Sequence, residues 1–350
     1  MASGDRELVA RLLDEQAEAC LQSGSPLYST LLGHLAEDVS EGGPGWSVLR
    51  ERAGDDPDSA LGLRLMGAVH RLVLSGHAAE LAAHYPSAGG ALPPAGAWRA
   101  FRALLEERAE RLREDVKRPC QTNEVGRCTA LIGGFLVVAR DTGLPLRILE
   151  IGASAGLNLR WDHFRYEARG ATWGDASSPV RLCDYNTQAL PPFDVEARVE
   201  SRSGCDRNPL DVARPDDRLT LTSFLWADQI SRLRLLKEAC RVAARVPARL
   251  DRTDAPGWVE DRLARSRPGV ASVVFHSIVL QYLDDDARTR FVGAIEQAGD
   301  RATREAPVAW LRMEPAGDHA DVTLTAWPGG HERLLARSGF HGAAVQWLAD

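Results

Sequence analysis

The residues with the clearest chemical potential form a glycine-containing segment, EIGASAGLNL, at residues 150–159. It follows LPLRILEIG, an almost continuous apolar run that is typical of a strand buried on both faces. Gly152 and Gly156 allow a sharp turn and a close approach of the backbone to a ligand. Glu150 supplies a negative charge, and a helix after the turn would direct free N–H groups at a carboxylate or phosphate. The segment therefore predicts a loop that binds a small charged group.

This loop differs from the dinucleotide-binding fingerprint G-x-G-x-x-G. Ser154 and Leu157 occupy the second and third glycine positions of that fingerprint. A pyrophosphate is therefore less favoured as a ligand than a smaller anionic group. The structural alternative is a tight strand-to-helix turn, because any α/β protein can use two glycines for that purpose.

An acidic residue, a hydrophobic residue and G-x-x-x-G after a buried strand resemble the first motif of class I S-adenosylmethionine-dependent methyltransferases. Ser154 stands where that motif often has its middle glycine. The resemblance implies S-adenosylmethionine as the cofactor. The cofactor-binding residues that it implies in this segment are Glu150, Gly152, Ala153, Ser154, Gly156 and Asn158.

A second segment, GCDRNPLD at residues 204–211, resembles the end of the second strand of that family. There an acid accepts hydrogen bonds from both ribose hydroxyls, which implies this role for Asp206, with Asn208 opening the next turn. The structural alternative is an acid in an Asx-type turn. Asp206 lies 206 − 150 = 56 residues after Glu150, so the resemblance requires an insertion. Alternating aromatic and polar residues predict a β-hairpin within this insertion, at about residues 160–195.

Further candidates follow the third and fourth predicted strands. The resemblance implies that Asp254, in RLDRTDAPGW, contacts the adenine amino group, although capping of a helix explains the same residue. His276 ends the strand in VASVVFHSIVLQYL, and Tyr282 follows. Because imidazole exchanges protons near neutral pH, we predict His276 as a general base and Tyr282 as a second catalytic residue. Trp161 and Tyr282 are candidate pocket walls, and a core histidine bonded to a backbone carbonyl is the alternative for His276.

The segment CQTNEVGR at residues 120–127 places polar side chains before an apolar helix. Thr122 or Asn123 would cap that helix. The functional interpretation places Asn123 and Arg127 near the methionine end of the cofactor or near the substrate, where an arginine could pair with a carboxylate.

Several of these segments occur together across essentially the whole chain. They are QTNEVGR, EIGASAGLNL, WGDASSPVRL, GCDRNPLD, VVFHSIVLQYL and WLRMEP. In this combination the chain resembles a bacterial family known as domain of unknown function 2332. That resemblance implies a fold and a set of residues, but no particular reaction.

The elements that must position these residues change in character along the chain. Residues 1–118 show apolar residues at three- and four-residue intervals, which predict a helical N-terminal cap region, either as a packing unit or as a substrate lid. In residues 119–350 strands and helices alternate. This alternation predicts an α/β domain with a doubly wound, mostly parallel sheet of seven strands, Rossmann-like and similar to the class I methyltransferases. The candidate strands begin near residues 144, 197, 248, 270, 307, 322 and 343.

Composition narrows the class of protein. Against 49 Asp and Glu the chain has 42 Lys and Arg, a net charge of −7, which makes nucleic acid an unlikely partner. The six cysteines form no C-x-x-C pair and no zinc pattern, so we predict buried thiols and no metal site. No apolar run approaches the roughly 20 residues of a membrane span. The charged start does not resemble a secretory signal. We expect a cytoplasmic protein without a membrane partner, whose oligomeric state the sequence leaves open.

The predicted function is methyl transfer from S-adenosylmethionine to a small-molecule or peptide acceptor. No Asn-Pro-Pro-Tyr segment follows the fourth strand, which disfavours the familiar amino-methylating DNA and protein enzymes. The alternative from another class is a nonenzymatic protein that binds S-adenosylmethionine, S-adenosylhomocysteine or a nucleoside. An aminopropyl transferase is least favoured, because HSIVLQY contains no acid and the next one is Asp284.

Overall fold

A computed structural model of the chain describes residues 3–185 and 189–349, and these form two compact units. The first contains residues 3–122 together with residues 214–234, and the second contains the remaining described residues. The sequence prediction drew its boundary at residue 118 and kept residues 214–234 with the second region. The chain therefore returns to the first unit within a segment that the sequence shows as one long helical stretch.

Helices form most of the first unit and connect strands in the second. The helices form where apolar residues recur every three or four positions, because this spacing places them on one face of a helix. The α-helices are α1 (Ser3–Gln22), α2 (Pro26–Glu41), α3 (Pro44–Leu49), α4 (Leu61–Leu74), α5 (Ala79–Ala82), α6 (Ala97–Glu107), α7 (Ala109–Asp115), α8 (Cys128–Thr142), α9 (Pro215–Phe224), α10 (Ile230–Ala243), α11 (Ala255–Leu263) and α12 (Asp285–Asp300). Short 3-10 helices are Arg50–Arg52, Pro57–Ser59, Pro86–Ala88, Pro94–Gly96, Val125–Arg127, Leu157–His163 and Leu280–Tyr282.

The first unit illustrates how local sequence defines a helix and its packing. The Ser25 hydroxyl accepts a hydrogen bond from the Tyr28 N–H at the start of α2, and Gly42 ends this helix with a φ of +78°. The buried face of α2 includes Leu31, which is completely inaccessible. The Tyr28 ring lies 5.9 Å from the ring of Trp226, which belongs to the returning segment. One apolar core thus joins the two stretches of chain that form this unit.

Among the described residues, the second unit is built on a sheet of eight strands rather than the predicted seven. The strands of the chain are β1 (Leu146–Ile151), β2 (Arg165–Ala168), β3 (Ala171–Gly174), β4 (Arg181–Leu182), β5 (Val199–Asp206), β6 (Arg249–Arg252), β7 (Ala271–Ser277), β8 (Val308–Ala316), β9 (His319–Trp327), β10 (His331–Ser338) and β11 (Gln346–Trp347). The order in the main sheet is β11-β10-β9-β8-β7-β1-β5-β6. Strands β6, β5, β1, β7 and β8 are parallel, and the other three continue antiparallel from β8.

The unpredicted strand is β10. Its sequence, HERLLARS, is rich in charged residues, and its first four residues are exposed or half-buried. A charged strand of an antiparallel pair can stand with one face in water, so it lacks the continuous apolar run that identifies buried strands. The prediction of a mixed α/β protein with a large, mostly parallel sheet is confirmed, whereas the count of seven strands is wrong.

Helices cover both faces of the parallel strands. On one face, Phe291 of α12 lies edge-on to Trp310 of β8, at 5.9 Å between ring centroids. On the other face, Phe135 of α8 lies edge-on to Phe275 of β7 at 5.1 Å. All six residues of β1 are buried between these layers. A continuous apolar strand is the pattern expected for this position in a sheet.

The predicted insertion contains a β-hairpin. Strands β2 and β3 pair antiparallel, and β4 pairs parallel to β2 in a separate three-stranded sheet. Because this sheet lies between β1 and β5 in the chain, it accounts for much of the long spacing between Glu150 and Asp206. The prediction of a hairpin is confirmed, and residues 186–188 of the predicted insertion lie outside the described residues.

Candidate functional site

The candidate site lies where the chain reverses its direction of winding across the sheet. From the central strand β1 the chain first adds β5 and β6 on one side and then β7 and β8 on the other. In open α/β sheets, ligands bind beyond the carboxyl ends of the strands at such a switch point. Two turns meet this description: residues 152–156 after β1, and residues 277–279 after β7.

The turn after β1 is a tightly packed backbone loop. Gly152, Ser154 and Gly156 have φ values of +64°, +51° and +66°. A Cβ atom on Gly152 would lie 2.7 Å from Cγ2 of Val279, and one on Gly156 would lie 2.9 Å from Cδ2 of Leu250. Both glycines are therefore required by conformation and by space, as the sequence indicates. The close contact with Val279 also brings the turn after β7 against this loop.

The element after the loop differs from the expected α-helix. Leu157–His163 is a 3-10 helix with non-helical backbone at Arg160. Its first N–H, that of Leu157, donates to Oδ1 of Asn123 at 2.8 Å. The expectation of free N–H groups at a helix N-terminus is therefore wrong for this element, because the first of them is bonded within the protein and so short a helix has little dipole.

Asn123 and Arg127 connect the loop with its surroundings instead of capping α8. This helix begins at Cys128, and its N-terminal residue Arg127 makes no capping bond through its side chain. Asn123 accepts from the loop, as described above, so the predicted helix cap is wrong. Arg127 donates through Nη1 to the Ser277 carbonyl at 2.8 Å and through Nε to the Phe340 carbonyl at 3.0 Å. It therefore fixes the backbone at the end of β7.

Glu150 is the most unusual residue of the site. Its exposed fraction is 3%, and its Oε2 atom is buried with no hydrogen-bond partner. Burial raises the pKa of this carboxyl well above its ordinary value, and the charge of Asp206 adds to the rise. The charges of Arg160 and Arg127 and a hydrogen bond from Asn158 lower the pKa but do not offset burial. Burial of a carboxyl oxygen without a protein partner costs free energy, which makes Glu150 a candidate for binding a ligand.

The neighbours of Glu150 are themselves buried and bonded. Oδ1 of Asn158 accepts a weak hydrogen bond from the Cys128 thiol at 3.4 Å. Arg160 donates to the carbonyls of Gly156 and Ala155 and, at 3.0 Å, to the Val246 carbonyl. The guanidinium of Arg160 thus donates to backbone oxygens, two of them in the loop, while its charge lowers the pKa of Glu150.

Asp206 is hydrogen-bonded to the loop after β1, so the two predicted binding segments, EIGASAGLNL and GCDRNPLD, lie next to each other. Its Oδ2 accepts from the Ser154 N–H at 2.9 Å, and its Oδ1 accepts from the Asn208 N–H at 2.8 Å. The second bond is the Asx-type turn that the sequence offered as an alternative. Each carboxylate oxygen has a second lone pair, so these bonds leave acceptor capacity on both atoms.

Asp254 stands at the start of α11 without capping it. Its backbone occupies the N-terminal capping position, but its side chain makes no capping hydrogen bond. The Thr253 hydroxyl lies 3.5 Å from Oδ1 of Asp254, and the Thr253 N–H donates to the Asp206 carbonyl at 3.1 Å. The capping alternative is therefore wrong for the side chain, and the carboxylate lies beside the end of β5.

His276 is completely buried and bonded through both ring nitrogens. Nδ1 lies 2.6 Å from Oε1 of Glu314, and the indole N–H of Trp310 donates to Nε2 at 3.0 Å. Because an indole N–H can only donate, Nε2 is the acceptor and the proton lies on Nδ1, which donates to Glu314. Neither ring nitrogen is open to a substrate in this arrangement, and the backbone-carbonyl alternative is also not what is seen. Sequence reasoning missed Glu314, although it lies in the WLRMEP segment.

Trp161 and Tyr282 have opposite environments. Trp161 is completely buried, with its indole stacked on Phe135 at 4.4 Å and on Trp173 at 5.4 Å. It belongs to the apolar core, so its prediction as a pocket wall is wrong. Tyr282 lies in the 3-10 turn Leu280–Tyr282 with an exposed fraction of 58%.

Within residues 3–185 and 189–349, no three His, Cys, Asp or Glu side chains are grouped as a metal site would require. Over the same residues, no helix has the length and apolar character needed to cross a membrane. The thiols nearest the site, Cys128 and Cys205, are buried, which raises their pKa and disfavours the thiolate.

A family model described as an uncharacterized protein conserved in bacteria, domain of unknown function 2332, matches residues 10–347. Comparisons with curated proteins and with solved structures give no match.

Proposed function

The chain belongs to this bacterial family, and we propose that it binds S-adenosylmethionine at the switch point of its sheet and transfers the methyl group to a small-molecule or peptide acceptor. The observation that carries the proposal is the buried, unpartnered Oε2 of Glu150, a residue that directly precedes the glycine loop in which the Ser154 N–H donates to Asp206. Two acids at the ends of adjacent strands, joined by one loop, match what an adenosyl ligand with a cationic amino acid end requires.

Glu150 supplies the site for the cationic end of the ligand. A buried carboxyl with a raised pKa is held protonated until a positive charge compensates it. The ammonium of the methionyl part can donate to Oε2 and provide that charge. The free energy that is lost by burying an unpartnered oxygen in the free protein would then be recovered upon binding.

Asp206 and Asp254 supply acceptors for the nucleoside. The remaining lone pairs of Asp206 suit the two ribose hydroxyls, and Asp254, free of a capping bond, suits the adenine amino group. The two acids are linked through the Thr253 N–H, which donates to the Asp206 carbonyl. Ribose and base are adjacent in the ligand, so adjacent acceptors fit them.

Bound S-adenosylmethionine supplies an electrophilic methyl group on a positively charged sulfur. The protein then has to orient donor and acceptor and to exclude water, and these tasks account for much of the rate of such a displacement. The close packing of Gly152 against Val279 joins the cofactor loop to the turn after β7. We assign the acceptor to the side of that turn.

A nonenzymatic binding protein is the second candidate, and one observation favours it. Both ring nitrogens of His276, the residue predicted as general base, are hydrogen-bonded within the protein. A protein that only binds the nucleoside would need Glu150 and Asp206 but no base. The two candidates share the binding site and differ in turnover.

The first test is titration calorimetry of the full chain with S-adenosylhomocysteine. Asp206→Ala should weaken binding by about 2 to 4 kcal/mol, or roughly 30-fold to 1000-fold, because it removes a charged acceptor. Asp211→Ala is the matched control: Oδ1 of Asp211 accepts from the Ala213 N–H at 2.8 Å in a turn of the same kind. Equal affinity in the two variants would defeat the ribose assignment.

The second test separates an enzyme from a binding protein. The full chain is incubated with S-adenosylmethionine carrying a labelled methyl group and with a bacterial cell extract. Label recovered in a product other than the cofactor supports methyl transfer. Tight binding without any transferred label would support the nonenzymatic candidate.

A further inference from the structure

The His276 and Glu314 pair at the ends of β7 and β8 holds one carboxylate in a fixed position. The imidazole N–H of His276 and the backbone N–H of Val279 both donate to Oε1 of Glu314, the latter at 3.0 Å. Trp310 fixes the imidazole tautomer from its other side. Two donors on a single oxygen stabilise Glu314 as an acceptor and restrict its rotation.

The second oxygen of this carboxylate remains open. Within the part of the chain that the structure describes, Oε2 of Glu314 has no hydrogen-bond partner, and the side chain is 18% exposed. Glu314 therefore differs from Glu150, whose free oxygen is buried. An oriented carboxylate with one bonded and one accessible oxygen is a binding group for a hydrogen-bond donor from solution.

Backbone strain in the adjacent turn supports a functional role for this arrangement. Ile278, a β-branched residue, has a φ of +56°, a conformation that such residues rarely adopt. The turn is kept in this conformation by the Ile278 N–H, which donates to the Met313 carbonyl at 2.8 Å, by Arg127 on Ser277, and by Glu314 on Val279. Strain that the surrounding bonds maintain is typical of functional sites.

The same turn relates Glu314 to the cofactor loop. Val279 donates its N–H to Glu314 and places its side chain where a Cβ of Gly152 would clash. Val279 thus contacts both Glu314, through its backbone, and the glycine loop, through its side chain. A group bound by Glu314 would lie beside the switch point and not at a remote surface.

We propose that Glu314 is the acceptor-binding carboxylate of the site and that the methyl acceptor is an amine. This inference rests on the proposed function. A carboxylate accepts hydrogen bonds and attracts positive charge, so it favours an ammonium over a carboxylate or phosphate substrate. His276 and Trp310 are positioning residues that act through Glu314.

An ammonium acceptor at this position has to lose a proton before its nitrogen can accept the methyl group, and Glu314 can accept that proton. The ammonium gives one proton to Oε2 of Glu314, and the nitrogen lone pair forms a bond to the methyl carbon. The carbon–sulfur bond breaks, and its electron pair stays on sulfur, which becomes a neutral thioether. The product is a methylated ammonium, and Glu314 releases its proton to solvent through its exposed side.

Sinefungin provides a direct test by binding alone. In this analogue a carbon replaces the sulfur, and an amine on that carbon replaces the methyl group. S-adenosylhomocysteine keeps the sulfur but has no group in place of the methyl. Calorimetry of the full chain should show sinefungin binding at least tenfold more tightly than S-adenosylhomocysteine. Glu314→Gln should abolish this preference, so that the variant binds the two ligands with similar affinities.

Further variants separate positioning from folding. Glu332→Gln, which changes a carboxylate of β10 that is paired with Arg312 of β8, should retain the preference. His276→Phe should reduce it, and His276→Asn should restore part of it, because an amide can still donate to Glu314. If Glu314→Gln lowers the melting temperature below the assay temperature, Glu314→Asp replaces it and should reduce the preference.

The outcomes distinguish this inference from the proposed function. Equal affinities of the wild-type protein for the two ligands would overturn the inference alone. A preference that survives in Glu314→Gln would do the same. If neither ligand binds the wild-type protein, the proposed function fails and the inference fails with it.

Discussion

The helical unit and the sheet unit each bury an ionisable side chain, with opposite results. His70 of α4 is completely buried, and both of its ring nitrogens find partners: Nδ1 lies 3.1 Å from the Ser223 carbonyl and Nε2 lies 2.7 Å from the Ser87 hydroxyl. Glu150 at the end of β1 is almost as buried, yet its Oε2 has no partner. Burial by itself therefore does not distinguish the two residues.

An unpartnered buried atom does not by itself indicate a ligand, because the hydroxyl of Tyr85 in the helical unit also lacks a hydrogen-bond partner; the position of the atom in the fold is what distinguishes Glu150. The hydrogen bonds of His70 are complete within the protein, so this residue has a structural explanation as a link between parts of the helical unit. Glu150 keeps an unsatisfied atom in a position where the sheet topology favours binding. His276 lies between these cases, because its own bonds are complete and the open acceptor belongs to its neighbour Glu314.

The largest expected effect is a loss of stability when valine replaces a glycine of the sheet unit, compared with the same change in the helical unit. Gly156→Val should lower the free energy of unfolding by about 3 to 5 kcal/mol, because a positive φ and crowding by Leu250 and Arg160 both oppose the side chain. Gly76 has a φ of +76° with nothing within 4 Å, so Gly76→Val should cost only about 1 to 2 kcal/mol. Urea unfolding of both variants measures this difference, and equal losses would contradict the close packing of the loop.

A second prediction concerns acid sensitivity from the helical unit. Burial lowers the pKa of His70 from 6.5 to about 4, so the unfolded chain binds a proton first as the pH falls. Its contribution to the free energy of unfolding is complete above pH 6.5. As the pH falls from 6.5 to about 4, this contribution decreases by about 3 kcal/mol in total. The difference in stability between the wild-type protein and His70→Gln should shrink by this amount over that range.

The sheet unit should show the opposite sign. Because burial raises the pKa of Glu150 above its ordinary 4.5, the folded protein holds this proton more tightly than the unfolded chain. The contribution of Glu150 is therefore complete below pH 4.5 and is lost as the pH rises. Glu150→Gln should therefore stabilise the ligand-free protein more at pH 8 than at pH 5. Melting temperatures at the two pH values test this, and an unchanged difference would refute it.

The same residue should make ligand binding depend on pH. Compensation of the ammonium requires ionised Glu150, so the affinity for S-adenosylhomocysteine should rise with pH in the wild-type protein. Glu150→Gln should bind more weakly and without this trend. Calorimetry between pH 6 and 8 provides the measurement, and a parallel pH dependence in both proteins would assign it to another group.

The smallest effect concerns two helix starts. Asp284 accepts from the Ala287 N–H at 2.8 Å at the start of α12, whereas Asp254 makes no such bond at the start of α11. Asp284→Ala should therefore cost about 1 kcal/mol and Asp254→Ala less than about 0.5 kcal/mol. Asp254→Ala should nevertheless weaken binding of S-adenosylhomocysteine. If Asp254→Ala keeps the wild-type affinity for S-adenosylhomocysteine but loses stability, Asp254 caps the helix and does not bind the ligand.

The parts of the fold that the sequence predicts well are those with a strong local pattern. The apolar run that ends at Glu150 and Ile151 predicts β1, the apolar stretch after CQTNEVGR predicts α8, and the alternation of aromatic and polar residues predicts the hairpin of β2 and β3. Strand β10 was missed because its residues are charged and its pairing with β9 is not encoded in a local apolar run. The capping role assigned to Asn123 was wrong for a similar reason, since its partner, Leu157, is distant in sequence.

The sequence by itself determined the types and positions of the groups that the site contains: two glycines that the turn requires, an acid at the end of a buried strand, and a second acid beside Asn208. Only the tertiary structure decided how these groups are partnered. It left Oε2 of Glu150 without a partner, bonded Asp206 to the loop, and completed the bonds of His276 through Trp310 and Glu314. The physical reason is that backbone turns depend on local residues, whereas desolvation and hydrogen bonding depend on which distant strands become neighbours.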